Sequence, residues 1–78
     1  MMFKKLENYI LENEFQINIL SGKIDVINYI DIDHFDSNKI LIKYKNGTII
    51  IKGEDLIISK LLTDEILIIG EIKSLEFV

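Results

Sequence analysis

The only histidine of the chain, His34, lies in a short acidic segment and is the first candidate for acid–base chemistry. Asp33 precedes it and Asp36 follows two residues later, so a carboxylate is close on either side. An imidazole beside a carboxylate can act as a general base, but covalent catalysis also needs a nucleophile. The chain has no cysteine, and none of its serines lies in a Gly-x-Ser-x-Gly elbow. We therefore expect His34 to be a solvated turn residue and the protein not to be an enzyme.

Three aspartates of the same segment, Asp31, Asp33 and Asp36, are spaced closely enough to be tested as ligands of a hard cation such as Ca²⁺. The run begins like an EF-hand loop. However, Phe35 occupies the fifth position, and Asp36 stands where the sharp turn requires glycine. In an extended segment Asp31 and Asp33 share a face and Asp36 does not. The pattern favours a solvated acidic turn, and we expect neither a metal nor a cofactor.

The glycines and the paired acidic residues favour structural roles. No Gly-Lys-Ser/Thr sequence follows Gly47, Gly53 or Gly70, so a phosphate-binding loop is not indicated and a turn or a bulge is expected at each. The pairs 54–55 and 64–65 flank strongly apolar segments, where charge discourages aggregation.

Composition limits the class of protein. The 78 residues allow one domain, residues 1–78, and carry a net charge of -4 with nine lysines and no arginine. Without a basic surface or guanidinium groups, nucleic-acid binding is disfavoured. Without cysteine, neither disulfides nor thiolate metal sites can hold so small a domain, so its core or its partners must.

The apolar segments are too short for a membrane protein. The longest uninterrupted run, Ile66–Ile69, falls far below the roughly 20 residues that span a bilayer. The first eight residues include two lysines but no apolar h-region or cleavage site, so they do not indicate a secretory signal. We expect a cytoplasmic protein without direct membrane insertion.

Short apolar segments with period-two spacing predict β-strands along most of the chain. Asn46-Gly47 predicts a type I′ turn with positive φ at both residues, and hence a hairpin over residues 39–52. Only residues 1–14 look helical, with an amphipathic stripe, leaving residues 15–78 as a β domain. The predicted strands are Phe15–Leu20, Lys23–Ile30, Lys39–Tyr44, Thr48–Lys52, Leu56–Ile58, Glu65–Ile69 and Ile72–Phe77.

Isoleucine makes up 18 of the 78 residues, and its placement puts large side chains on both faces of successive strands. The fold class that follows is all-β, a strongly bent antiparallel meander rolled into a small sandwich with a short N-terminal helix. A β-solenoid-like coil is the alternative. Apolar surface left over after folding favours self-association into a homo-oligomer. The candidate interaction residues are Ile40, Ile42, Ile50, Ile57 and Ile68.

The second half of the chain has a distinctive spacing of apolar residues and glycines, at 40–42, 46–47, 49–53, 56–58, Leu61, 65–66, 68–72, Leu75 and Phe77. This spacing resembles that of the YabP/YqfC family of sporulation proteins. The upstream residues Ile17, Ile19, Gly22, 26–29 and Phe35 are similar to the YqfC-like branch of that family.

The resemblance implies a small non-catalytic protein, made in the mother cell of an endospore-forming bacterium, that acts in spore envelope or cortex formation. It also implies a sporulation membrane protein as a partner, which would bring the chain to the forespore surface. Two functions stay open. One is a self-associating structural protein, and the other is a binding module that takes up an extended peptide by strand addition at an open sheet edge.

Overall fold

The computed structural model describes residues 14–78, which form six β-strands in one antiparallel sheet. The predicted all-β antiparallel class is confirmed. The solenoid alternative is wrong, because strands in a solenoid stack in parallel and every pair here is antiparallel. The predicted helix over residues 1–14 lies outside the described residues, apart from Glu14, which is in neither helix nor strand. The strands are β1 (Gln16–Leu20), β2 (Lys23–Ile27), β3 (Asp31–Phe35), β4 (Lys39–Tyr44), β5 (Gly47–Leu61) and β6 (Glu65–Phe77).

The strand order, β1-β2-β6-β5-β4-β3, departs from a simple meander at one connection. Strands β3 to β6 follow each other as neighbours, and the β1–β2 hairpin is added on the far side of β6. The link over residues 28–30 therefore crosses from one half of the sheet to the other. Asn28, at φ 66°, donates its backbone N–H to the carbonyl of Asp64, and Ile30 donates to Lys43, which fixes both ends of the crossing.

The two long strands β5 and β6 bend together in the middle of the sheet. The register between them shifts on both sides of Gly53–Glu54, and Asp55 takes a left-handed φ of 55°. A Cβ added to Gly53 would lie 2.0 Å from the carbonyl oxygen of Glu71, and one added to Gly70 would lie 2.7 Å from that of Asp55. The backbones approach so closely at the bend that no side chain fits between them.

The bend lets the two halves of the sheet enclose one core. Nine buried apolar residues from both halves pack into a single cluster. The ring of Phe15, just before β1, stacks on that of Tyr44 in β4 at a centroid distance of 4.1 Å, although these strands lie at opposite sides of the sheet. The predicted strongly bent antiparallel arrangement is confirmed, as one open sheet of six strands that encloses the core. The buried residues are Ile24, Val26, Ile40, Ile42, Ile49, Ile51, Leu56, Ile66 and Ile68.

Two predictions of local structure were wrong. Residues 31–35 form β3 rather than an acidic turn, because they pair with β4 while Ile32 packs against the core. Residues 53–55 and Gly70 do not end strands but bend them, so two pairs of predicted segments merge into β5 and β6. A glycine at a bulge gives the same local signal as a glycine in a turn.

The hairpin over residues 39–52 is confirmed, but its turn differs from the predicted one. Tyr44 pairs with Gly47, so Lys45 and Asn46 are the central residues, and Asn46 does not adopt a positive φ. Gly47 is already the first residue of β5. A Cβ there would lie 2.6 Å from the carbonyl oxygen of Val78, so glycine serves a close backbone approach.

Candidate interaction surface

The five isoleucines predicted as interaction residues lie in different environments. Ile40, Ile42 and Ile68 have no exposed area and belong to the core. Ile50 is half-buried on the opposite, outer face of the sheet, where it pairs with the half-buried Leu41. Ile57 is 55% exposed on that face. Of the five, only Ile50 and Ile57 therefore present side-chain surface outside the core.

The sheet has two outermost strands, β1 and β3, and they differ sharply in charge. Strand β1, with the sequence Gln-Ile-Asn-Ile-Leu, contains no charged residue, no proline and no bulge. Ile19 is 61% exposed and Leu20 is 60% exposed. Natural proteins usually protect a sheet edge with charge, proline or a bulge. Within residues 14–78, β1 has a strand partner on one side only, so no described strand covers its other edge.

The backbone groups at this edge follow from the β1–β2 hairpin. Leu20 pairs with Lys23 across the two-residue turn Ser21-Gly22, and such a turn is closed by a hydrogen-bonded pair. Hydrogen-bonded and non-hydrogen-bonded pairs alternate along an antiparallel ladder. Asn18 therefore bonds inward to β2, whereas the N–H and C=O groups of Ile17 and Ile19 point away from the sheet. No strand among residues 14–78 pairs with these groups.

Strand β3 carries the acidic segment at the other edge. The Nε2 atom of His34 lies 2.8 Å from Oδ2 of Asp36, and both side chains are about half exposed. The other Asp36 oxygen accepts the backbone N–H groups of Asn38 and Lys39, each at 2.8 Å. The hydrogen bond from His34, followed by these two, lowers the pKa of Asp36 below its ordinary value of 3.8. Asp36 thus fixes the β3–β4 turn.

A shallow groove near the bend is lined by side chains of both signs, among them Lys52, Glu54 and Lys73, and two further glutamates lie beside it. Lys73 lies 3.4 Å from Glu71 and 3.9 Å from Glu54, and Lys52 lies 3.8 Å from Glu76. These side chains are about half exposed, so each ion pair contributes little stability. The mixture selects neither an anion nor a cation. In residues 14–78, no three histidine or acidic side chains are grouped in a way that could hold a metal ion.

Comparison with protein families matches residues 7–78 to the YabP family. The chain belongs to the YabP family. This family is associated with sporulation. The match is to the family as a whole, and assignment to the YqfC-like branch stays a prediction. No curated protein matches the chain.

In the part of the YabP-family chain that the structure describes, residues 14–78, no helix is long and apolar enough to cross a bilayer.

The surface residues that the sequence interpretation missed are those of β1. Its apolar residues are visible in the sequence, and the absence of charge from residues 16–20 is a usable signal. That β1 is an edge strand depends on the strand order of the whole YabP-family sheet, which local sequence does not specify.

A pair of carboxylates lies on the outer face near β2. Residues Asp25 and Glu65 are close diagonal neighbours, since Ile27 is the residue opposite Glu65. A side-chain hydrogen bond with Asp25 raises the pKa of Glu65 above its ordinary value of 4.5, and partial desolvation acts in the same direction. The Oδ1 atom of Asp25 is buried and has no hydrogen-bond partner. A proton held by Glu65 toward Asp25 therefore stabilises this part of the sheet at acidic pH, and two charged carboxylates destabilise it near neutral pH.

Replacing Glu65 with glutamine is expected to raise the melting temperature near neutral pH. A raised folded-state pKa means that the protonated form stabilises the fold below about pH 4.5, and that this contribution is lost as pH rises through the folded-state pKa. Glutamine keeps a donor toward Asp25 at every pH. Thermal melts should show the gain near pH 7 and almost none near pH 4. An equal shift at both pH values would contradict the proton held by Glu65.

Proposed function

We propose that this chain is a non-catalytic structural protein of sporulation that self-associates and supports formation of the spore envelope or cortex. Membership in the YabP family supports the sporulation role. The observation that carries self-association is the edge of β1 that no described strand covers, with its uncharged sequence and its two exposed apolar side chains, Ile19 and Leu20. An edge of this kind is a template for a further strand.

The non-catalytic part of the proposal rests on the chemistry of the side chains. The chain has one histidine and no cysteine, and that histidine lies on the exposed edge strand β3, bonded to Asp36. Covalent catalysis needs a nucleophile within reach of a base, and the described neighbour of His34 is a carboxylate that fixes a turn. A structural function needs no such pair of side chains, because the edge of the sheet can itself form the contact with another molecule.

The proposed place of action is the mother-cell cytoplasm, with a sporulation membrane protein bringing the chain to the forespore surface. The resemblance of the sequence to sporulation proteins supports this placement. An assembly near the forespore would also concentrate a small protein where envelope layers form, because linked copies bind a surface more tightly than single ones.

The alternative is a binding module that adds an extended segment of a sporulation membrane protein to the same edge. Strand addition uses main-chain hydrogen bonds for affinity and side-chain pockets for specificity. The outward backbone groups of Ile17 and Ile19 suit this mode as well. A chain that stays monomeric until such a segment is supplied would support the alternative over self-association.

Deletion of the gene in its endospore-forming host is expected to reduce heat-resistant spores while vegetative growth stays normal. A fluorescent fusion should accumulate in the mother cell. An Ile57→Lys copy should restore spores and an Ile19→Lys copy should not, because both side chains are exposed but only Ile19 lies on the β1 edge. Normal spores after deletion, or full rescue by Ile19→Lys, would contradict the proposal.

A further inference from the structure

We propose that β1 pairs antiparallel with β1 of a second copy about a two-fold axis at Asn18, which joins two six-stranded sheets into one. This rests on the proposed self-association and specifies its interface. In this register, Ile17 lies opposite the partner's Ile19, Gln16 lies opposite the partner's Leu20, and the two Asn18 residues face each other. The interface is isologous, so it closes at two copies.

The absence of charge from β1 makes this pairing compatible with a second copy of the same strand. Residues 16–20 place no charge at the interface, so no two like charges meet across the axis. The pairs formed by Ile17 and the partner's Ile19 are β-branched and apolar, a combination that stabilises neighbouring strands. The exposed side chains of Ile19 and Leu20 would lose water contact on pairing.

The backbone fits the same register. Ile17 and Ile19 direct their N–H and C=O groups outward, and the two-fold axis makes each of them a hydrogen-bonded pair with the partner strand. Asn18 then forms the central non-hydrogen-bonded pair. The β1–β2 turn determines which backbone groups of β1 point outward, and the two-fold axis at Asn18 pairs those same groups with the partner strand.

The opposite edge strand, β3, is unsuited to pairing with its own copy in a second chain. Antiparallel pairing of β3 with itself about its centre would place Asp33 opposite the partner's Asp33, and like charges directly opposite are destabilising. The register of β3 against β4 is also irregular between Ile32 and His34, and a bulged edge pairs poorly. With one permissive edge in the sheet of residues 14–78, the proposed pairing stops at a dimer and does not continue into a filament.

Single-cysteine cross-linking of the full chain tests this register, because the protein has no cysteine of its own. Non-hydrogen-bonded antiparallel pairs hold Cα atoms about 4.5 Å apart, within the range that a disulfide bridges. Asn18→Cys is therefore expected to form a covalent dimer under mild oxidation. Asp33→Cys, the matched exposed site at the centre of the other edge, should stay monomeric on a non-reducing gel.

A second pair of variants guards against a local effect at Asn18. Gln16→Cys mixed with Leu20→Cys should give a cross-linked heterodimer, whereas Gln16→Cys alone should not cross-link. Circular dichroism of each variant checks that the sheet is retained. This pattern depends on the register and would not arise from random collision of exposed thiols.

The other outcomes overturn the proposal in distinguishable ways. Cross-linking between Asn18→Cys and Asp33→Cys would show head-to-tail pairing of unlike edges, and the closed dimer would be wrong. A dimeric mass without cross-linking by Asn18→Cys or by the Gln16→Cys and Leu20→Cys mixture would exclude the β1 interface but keep self-association. A monomer that accepts only an added peptide would overturn both.

Discussion

Alanine at Gly53 is expected to lower the free energy of unfolding by at least about 3 kcal/mol, which is the upper end of ordinary overpacking. The added Cβ would lie 2.0 Å from the Glu71 carbonyl oxygen and 3.1 Å from Cδ2 of Leu56. The oxygen belongs to the neighbouring backbone, so relief requires β5 and β6 to separate at the bend. In a domain of this size the loss corresponds to a fall of roughly 12 °C or more in Tm. Thermal melts followed by circular dichroism measure it.

Gly22→Ala is the matched control for this substitution. Gly22 has a left-handed φ of 74°, but the nearest atom to an added Cβ is the Gly70 carbonyl oxygen at 3.8 Å, an ordinary contact. The control should therefore lose only the conformational cost of about 1–2 kcal/mol. Gly53 has no positive φ, so its requirement is steric. If Gly53→Ala melts no lower than Gly22→Ala, the close approach at the bend is wrong.

Lysine at Ile19 is expected to raise the Kd for self-association by about a hundredfold or more. A two-fold interface contains the substitution twice, and a cost of about 1.4 kcal/mol per copy multiplies to that factor. Each lysine removes an apolar cross-strand pair with the partner's Ile17 and adds a charge at the edge, the device by which natural sheets prevent pairing. Ile19 is 61% exposed, so Tm at low concentration should change little. Sedimentation velocity over a concentration series gives the Kd.

Ile57→Lys makes the same chemical change at a similarly exposed isoleucine, one that lies within the sheet on β5. It should leave the Kd close to that of the unaltered chain. The comparison shows whether the edge of β1 or the outer face of the sheet forms the interface. Ile57 lies on that outer face and was one of the interaction residues predicted from the sequence. Loss of association in Ile57→Lys with retention in Ile19→Lys would transfer the interface to the outer face.

The sequence predicted the strands in which apolar and polar residues alternate or apolar residues follow one another. The β4–β5 hairpin follows from the apolar segments on both sides of residues 45–47. Strand β3 was missed because an edge strand exposes most of its side chains, so Asp31–Phe35 shows little apolar alternation. The continuity of β5 through Gly53 was missed because a bulge and a turn use the same residue type.

The interaction surface was harder to predict, because residue type does not determine exposure. The strongest apolar triplets contain Ile40 and Ile42, which the bend of the sheet buries completely. Ile19 is an equally apolar residue that remains exposed, because β1 is the last strand of the order. Strand order arises from pairings far apart in sequence, here from the crossing link over residues 28–30. The edge of β1 therefore becomes visible only in the folded sheet.

Sedimentation equilibrium of the unaltered full chain across micromolar concentrations tests the central claim most directly. The expected result is a reversible rise to twice the 9.1-kDa chain mass, with no larger species at the highest concentration. A single 9.1-kDa species at every concentration would contradict self-association, and a mass that keeps growing would contradict a closed dimer through β1.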